Sequence, residues 1–272
     1  MKILKGSLVS FFSSGFPSHV RIKAIDLSSP DQENFYSPFS GIVKKIERVK
    51  IGRPNKYART DYDVIMYIDT QGKRVKILHV EPYVEEGDEV KEGEKIGKFI
   101  ETPYTGGDFK HAHIEGVSLR FPKISIYRQS SVGRVVYVDK AYFDVEVLDY
   151  STAGNYFGLG CCGGLLNTSF PYGCYGGIIG GWDGTLRFLG FDLGYPYKVK
   201  RRNLVMFEGK KGLIRNWEKV ASFKVLSNRP VCGRSFVEVV LGYKVPPVIR
   251  VFRSTNLKQG DEILLKELSA MY

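Results

Sequence analysis

Cysteine and histidine are scarce in this chain, and long apolar runs are missing. The four cysteines among 272 residues are Cys161, Cys162, Cys174 and Cys232, and their spacing matches no zinc ribbon or thioredoxin motif. Neighbouring Cys161 and Cys162 are poorly placed for a bridge, whose Cα separation is usually about 4.4–6.8 Å. Reduced, buried thiols are therefore expected. No apolar stretch approaches the ~20 residues of a membrane span, so no transmembrane segment is expected. The opening MKILKGSLVSFFSSG is faintly like an export signal, but Lys5 and Gly6 interrupt it and no small-residue cleavage site follows. The chain is accordingly read as mature from Met1, with the cytoplasm as default location. Helical periodicity is missing from the first half, there is no clear internal repeat, and no nucleic-acid-binding motif is recognisable.

What is abundant points to strands. There are 17 Tyr and 17 Phe, with many Val and Ile, the residue types that suit a pleated, half-buried surface. With 43% hydrophobic and 25% charged residues, an ordinary cored protein is expected, long enough for two modest domains or one large β domain. In the first half, alternation or short apolar runs mark strands at 20–27, 41–49, 63–69, 74–80, 95–100 and 111–119. In the second, 134–150 reads as two strands, and further strands are expected at 186–191, 219–225, 237–241 and 248–252, with a short helix within 260–271. The glycine-rich stretch 154–184 could be a ligand loop or crowded β turns, and the second is preferred. The division expected is a β module over 1–125 and a β-rich region of unassigned role over 126–272.

The net charge is +11, which favours polyanionic partners as a class. The basic segments 44–59 and 198–215, with Tyr57, Tyr195 and Tyr197 in or beside them, are where a polyanion would be held. Solvated loops explain the same segments more simply.

The chemistry lies in the histidines. All four fall before residue 114: His19, His79, His111 and His113. A His-x-His pair on a strand turns both imidazoles to one face, because side chains alternate with period 2. Hydrolytic zinc sites usually keep three N/O protein ligands and leave a fourth position to water. His19, Asp26 and one of His111 or His113 would supply two imidazoles and a carboxylate. The remaining imidazoles could act as general base or stabilise an oxyanion.

These pieces resemble the lysostaphin-type zinc endopeptidases of bacterial cell walls. Ser37-Pro38-Phe39-Ser40-Gly41-Ile42-Val43 is similar to that family's Ala-Pro-x-x-Gly-x-Val segment. Gly87-Asp88-Glu89-Val90-Lys91-Glu92-Gly93-Glu94-Lys95-Ile96-Gly97 is similar to its Gly-Asp-x-Val-x-x-Gly-x-x-Ile-Gly segment. Biotinyl and lipoyl carriers share the second segment, but no Met-Lys-Met-like turn is present here, and His111-Ala112-His113 tilts the comparison to the peptidases. The resemblance covers about 110 residues. It implies a mainly β fold with a duplicated-hybrid-motif sandwich or barrel-like module, a Zn2+ cofactor held by His19, Asp26 and His113, and His79 and His111 as the catalytic pair. It also implies a peptide or peptide-crosslinked polymer as substrate, and an extracytoplasmic setting.

One departure stands out. The family places its first His four residues before the Asp, where this chain has Ile22, and His19 lies seven before Asp26. On a regular strand that offset would put the two on opposite faces, so His19 reaches a metal only if 17–21 leave the strand as a loop or bulge. Two functions follow as expectations. One is a zinc-dependent endopeptidase or amidase. The other is a catalytically inactive relative that serves as a binding module for a polyanionic or protein partner.

Overall fold

The computed structural model describes residues 1–12, 17–52, 57–105, 107–169, 175–200, 203–216 and 237–270. The protein is mainly β, as expected. Its first half is built on an antiparallel sheet whose neighbours run Glu89–Val90, Gly41–Lys50, Tyr62–Thr70, Lys73–Leu78, Ala112–Glu115, Ala24–Leu27 and Leu8–Ser10. A smaller sheet pairs Asn34–Tyr36 and Val80–Pro82 with the two edges of Lys95–Phe99. Phe35, Val80, Ile96 and Phe99 of the small sheet share one buried core with Val43, Met66, Ile68, Ile77 and Ile114 of the large one. The apolar run Val64 to Ile68 alternates in burial: Val64, Met66 and Ile68 are buried while Ile65 and Tyr67 are partly exposed, as a strand covered mainly on one face requires.

The second half has its own core around Val145, Leu166, Phe207 and Ile249. Its hub is the strand Val237–Tyr243, which pairs with Val248–Val251, Gly164–Ser169 and Tyr156–Cys161. The same hub pairs with Leu8–Ser10, so the N-terminal strand stitches the two halves into one continuous sheet. Asn167 secures that seam. Its buried Oδ1 accepts the N–H groups of Phe11 (2.7 Å) and Phe12 (3.0 Å), and its Nδ2 donates to Ser10 Oγ (3.0 Å) and Val239 O (2.8 Å). Asn167→Ala strands two buried backbone donors, which cost about 1–3 kcal/mol each when unpaired. A loss of about 3 kcal/mol in urea unfolding is the expected outcome.

The glycine-rich stretch is strand rather than loop. It forms Tyr156–Cys161, Gly164–Ser169 and Tyr175–Ile179. Its glycines allow close approach: a Cβ on Gly177 would lie 2.4 Å from the Phe12 ring, so Phe12 packs flat against the backbone there. Cys161 and Cys162 are buried free thiols, as expected, and Cys174 and Cys232 lie outside the described residues.

Several strand expectations need correction. The segment 20–27 is a strand only over Ala24–Leu27, preceded by a helical turn, Pro17–Val20. The segment 74–80 is broken at His79, whose φ of +68° ends one strand before the chain enters the other sheet. The expected strand at 186–191 is a two-residue hairpin, Arg187–Phe188 with Phe191–Asp192, turning through positive φ at Leu189 and Gly190. The segment 260–271 contains the strand Glu262–Leu264 before its helical turn Glu267–Ala270. The strand expected at 219–225 lies outside the described residues. No helix among them is long and apolar enough to cross a membrane.

Candidate metal centre

The sheet register builds the site. On neighbouring antiparallel strands His113 is directly opposite Asp26, so their side chains share a face, and His113 Nδ1 lies 2.8 Å from Asp26 Oδ1. The helical turn Pro17–Val20 brings in the third member. It is closed by N–H groups of Ile22 and Lys23 on the carbonyls of His19 and Ser18, and Ile22 takes a φ of +62°. That excursion removes the face mismatch of the seven-residue offset. His19 Nε2 stands 3.0 Å from Asp26 Oδ1 and 3.1 Å from His113 Nδ1. All three side chains are buried.

Two nitrogens and one carboxylate oxygen thus form a nearly equilateral triangle, with edges of 2.8–3.1 Å. Three corners of a zinc tetrahedron with ligand distances of about 2.0–2.1 Å lie ~3.3 Å apart, so the donor set fits zinc after a small expansion. The outer ring nitrogens fit equally well. His19 Nδ1 is 2.7 Å from Phe11 O, and His113 Nε2 is 3.1 Å from Glu115 Oε1. Since a carbonyl or carboxylate can only accept, each outer nitrogen donates, and once the ring is neutral the inner one keeps its lone pair for an ion.

The other two histidines flank this triangle. His111 Nδ1 donates to Phe109 O, and its Nε2 is 3.9 Å from Asp26 Oδ1. His79 Nδ1 is 2.8 Å from Asp63 Oδ2, and its ring centroid lies 5.5 Å from that of His111 and 6.1 Å from that of His113. All five residues expected at the site are therefore brought together. His111 sits just ahead of the strand Ala112–Glu115 rather than on it.

Electrostatics follow from burial among opposite charges. Burial pushes the Asp26 carboxyl up, but the charges of His19 and His111 and hydrogen bonds from His113 and His19 outweigh it, holding the pKa well below the usual range. Burial pulls His113 down, yet Asp26 and Glu115 outweigh it and raise its pKa to about 9. Glu115 is raised by burial and lowered further by His113 and Lys76, to about 2.

The sequence reading missed Asp63, Glu115 and Asn167, which contact His79, His113 and Phe11. Glu115 had a signal: His111, His113 and Glu115 follow one another at period 2. Asp63 and Asn167 had none, since each meets the site only through long-range packing.

His19, His79, His111 and His113 are all buried, and beside Asp26 and His111 there is a cavity of only about 10 Å³, the room of about one water. Glu238 and Val240 from the second half help to close it. Phe109 lines this cavity and also a larger one of about 440 Å³, with Asp31, Glu101, Tyr142 and Arg250. The basic segment 44–59 is partly neutralised on its strand: Arg48 pairs with Glu81, Lys45 with Glu47, Lys50 with Asp61 and Arg59 with Glu101. That suits a solvated strand face. Arg201 and Arg202 of the second basic segment lie outside the described residues.

Fold and site together define a mainly β protein with a buried histidine and carboxylate cluster whose spacing could hold a metal ion. Residues 3–137, just under half of the chain and including all five site residues, match a family model described as the N-terminal domain of a domain of unknown function (DUF8155). No curated protein and no solved structure matches the chain.

Proposed function

We propose that the chain is a zinc-dependent, peptidase-like hydrolase that cleaves a peptide or related amide bond. One observation carries this reading: three buried histidines, His19, His111 and His113, each with one ring nitrogen held by an acceptor, gather around a single carboxylate, Asp26, and the ring of the fourth, His79, lies 5.5 Å from that of His111. A structural core has no need of imidazoles gathered in this way. The resemblance of residues 14–120 to the lysostaphin-type endopeptidases supports the same reading.

His19 Nε2, Asp26 Oδ1 and His113 Nδ1 would hold the ion. Zinc bound there would lower the pKa of a bound water toward ~7 and polarise a carbonyl. The chain's own work falls to His79 and His111. With Nδ1 donating outward, each keeps an Nε2 lone pair that can take a proton from the attacking water and return it to the leaving nitrogen. Phe109 would have to move to join the small cavity to the larger one, whose volume suits a small ligand.

A second reading is favoured by the burial of every donor. A closed site without an exchangeable position would make the first half a metal-stabilised binding module for a polyanionic or protein partner.

Zinc content tests both. About one zinc per chain is expected by elemental analysis of protein purified without chelators, and a chain that takes up none would refute the metal centre. Hydrolysis of peptide libraries by the zinc-loaded protein then separates the two readings.

Binding should also depend on pH in a stated direction. Below about 9, zinc must displace a proton from His113. Affinity should therefore rise by about tenfold per pH unit through the neutral range and level off above that pKa. Titration against a chelating dye at pH 6, 7 and 8 checks this, and a flat profile would contradict the assignment of His113 as a ligand.

A further inference from the structure

Asp63 is almost fully buried at the start of the strand Tyr62–Thr70, with 1% exposure. Its two oxygens have different tasks. Oδ1 accepts the backbone N–H groups of Val64 (2.8 Å) and His79 (3.0 Å). Oδ2 lies 2.8 Å from the ring nitrogen Nδ1 of His79 without the alignment of a hydrogen bond, and the Thr102 hydroxyl is 3.4 Å from the same nitrogen. Burial pushes this carboxyl up, but the charge of His79 and the two backbone N–H groups outweigh it and hold it below the usual range.

His79 needs such a grip. Its φ of +68° lies in the left-handed region, which costs an L-residue roughly 1–2 kcal/mol. It stands where the chain leaves Lys73–Leu78 in one sheet for Val80–Pro82 in the other. Its carbonyl accepts the N–H of Ile100 at 3.0 Å. Backbone and ring are thus held together by one carboxylate, in a conformation that packing alone would not favour for a histidine.

We propose that Asp63 is a positioning residue: it favours the Nδ1–H tautomer of His79 and leaves the lone pair on Nε2, the ring nitrogen away from itself. This rests on the reading of His79 as a proton-transfer group at the zinc centre. An ionised carboxylate oxygen 2.8 Å away repels a ring lone pair and attracts a ring proton, which favours the proton on Nδ1. The lone pair is then the edge that can take a proton.

Asp63→Asn separates this role from simple support. The amide oxygen must stay with the two backbone N–H groups, because an NH2 there would face two donors. The NH2 group is then left against Nδ1, which must accept, and the ring proton moves to Nε2. The variant keeps the size and the backbone contacts of Asp63 but reverses the tautomer, a change that elsewhere costs about 10⁴-fold in turnover.

The test is long-range proton–nitrogen correlation NMR on the full chain with ¹⁵N-labelled histidine, at a pH where the His79 ring is neutral. There are only four histidines, and His79→Gln assigns the signal. Expected are Nδ1–H in the wild type, Nε2–H in Asp63→Asn, and zinc affinity equal within about threefold. Hydrolysis, where it is measured, should fall by about 10³-fold or more in the variant. A wild-type Nε2–H tautomer would overturn the proposal without any variant, so it stays testable if Asp63→Asn does not fold. An unchanged tautomer in the variant, or a reversed tautomer with undiminished hydrolysis, would overturn it as well. Zinc uptake by the wild type tests the underlying reading separately, because the tautomer can be read without metal.

Discussion

Replacing Arg250 by Ala should cost about 3–5 kcal/mol of stability, the usual penalty for removing one partner of a buried ion pair. The guanidinium is enclosed from every side. Its Nε and Nη2 donate to the two oxygens of Asp144, each at 2.9 Å, and its Nη1 donates to the carbonyls of Gly107 (3.0 Å) and Asp108 (3.2 Å). The Phe109 and Tyr142 rings lie on it, with centroids 4.2 and 3.9 Å from Cζ. Alanine takes away the partner of the buried Asp144 and the guanidinium donor to the carbonyls of Gly107 and Asp108, and opens a void between two rings. For a chain of this size the loss corresponds to a fall in melting temperature of roughly 10 °C. Arg250→Met with Asp144→Leu should recover much of it, because a well-packed apolar pair avoids the desolvation penalty. A second readout ties the pair to the site. The segment from Gly107 leads into His111, and its Phe109 N–H is also held by Glu238 Oε2 at 3.0 Å. Releasing it should displace His111 and reduce hydrolysis, while His19, Asp26 and His113 still bind zinc. Thermal unfolding and a zinc titration of Arg250→Ala check the two parts. A variant as stable as the wild type would show that the ion pair does not hold the halves together.

Much of the first half is legible because one-sided burial writes itself as alternation. Strands near 41–49, 63–69 and 95–100 were expected and are found at Gly41–Lys50, Tyr62–Thr70 and Lys95–Phe99. The failures share a cause. His79 and Ile22 have positive φ, which nothing in isoleucine announces and histidine signals only weakly beside Gly. Runs such as 74–80 and 20–27 therefore read as single strands. The departure at Ile22 belongs to the same lesson. Judged as a strand, His19 is on the wrong face of Asp26, but a four-residue helical turn carries it to 3.0 Å. The ligand candidates were legible from residue type, because His and Asp seldom share a buried face without purpose. Their supports were not. Asn167 reaches Phe11 across 156 residues and Glu238 reaches Phe109 across 129, and such partners follow from topology rather than from local pattern. Phe11 O in turn holds His19, so the second half helps to shape the histidine cluster.

His113→Ala and His111→Ala should behave differently, and the contrast decides what kind of centre this is. His113 contributes one of the three converging donor atoms, at 2.8 Å from Asp26 Oδ1 and 3.1 Å from His19 Nε2. Its removal leaves two ligands, and zinc affinity should fall by more than the roughly 100-fold that losing an outer hydrogen-bond partner costs. Any hydrolysis should disappear with it. His111 Nε2 stands back, at 3.9 Å from Asp26 Oδ1. If its role is to exchange protons with the attacking water and leaving nitrogen, His111→Ala should bind zinc within about threefold of wild type and lose about 10²–10⁴-fold in turnover, the usual worth of a general acid or base. Circular dichroism of both variants guards against unfolding, and competition with a chelating dye measures the ion. The opposite outcome is equally informative. Should His111→Ala lose zinc as severely as His113→Ala, His111 would be a fourth ligand. The centre would then be closed, with no position for water or substrate. The burial of all four histidines would follow from a structural task, and the hydrolase reading would give way to that of a metal-stabilised binding module.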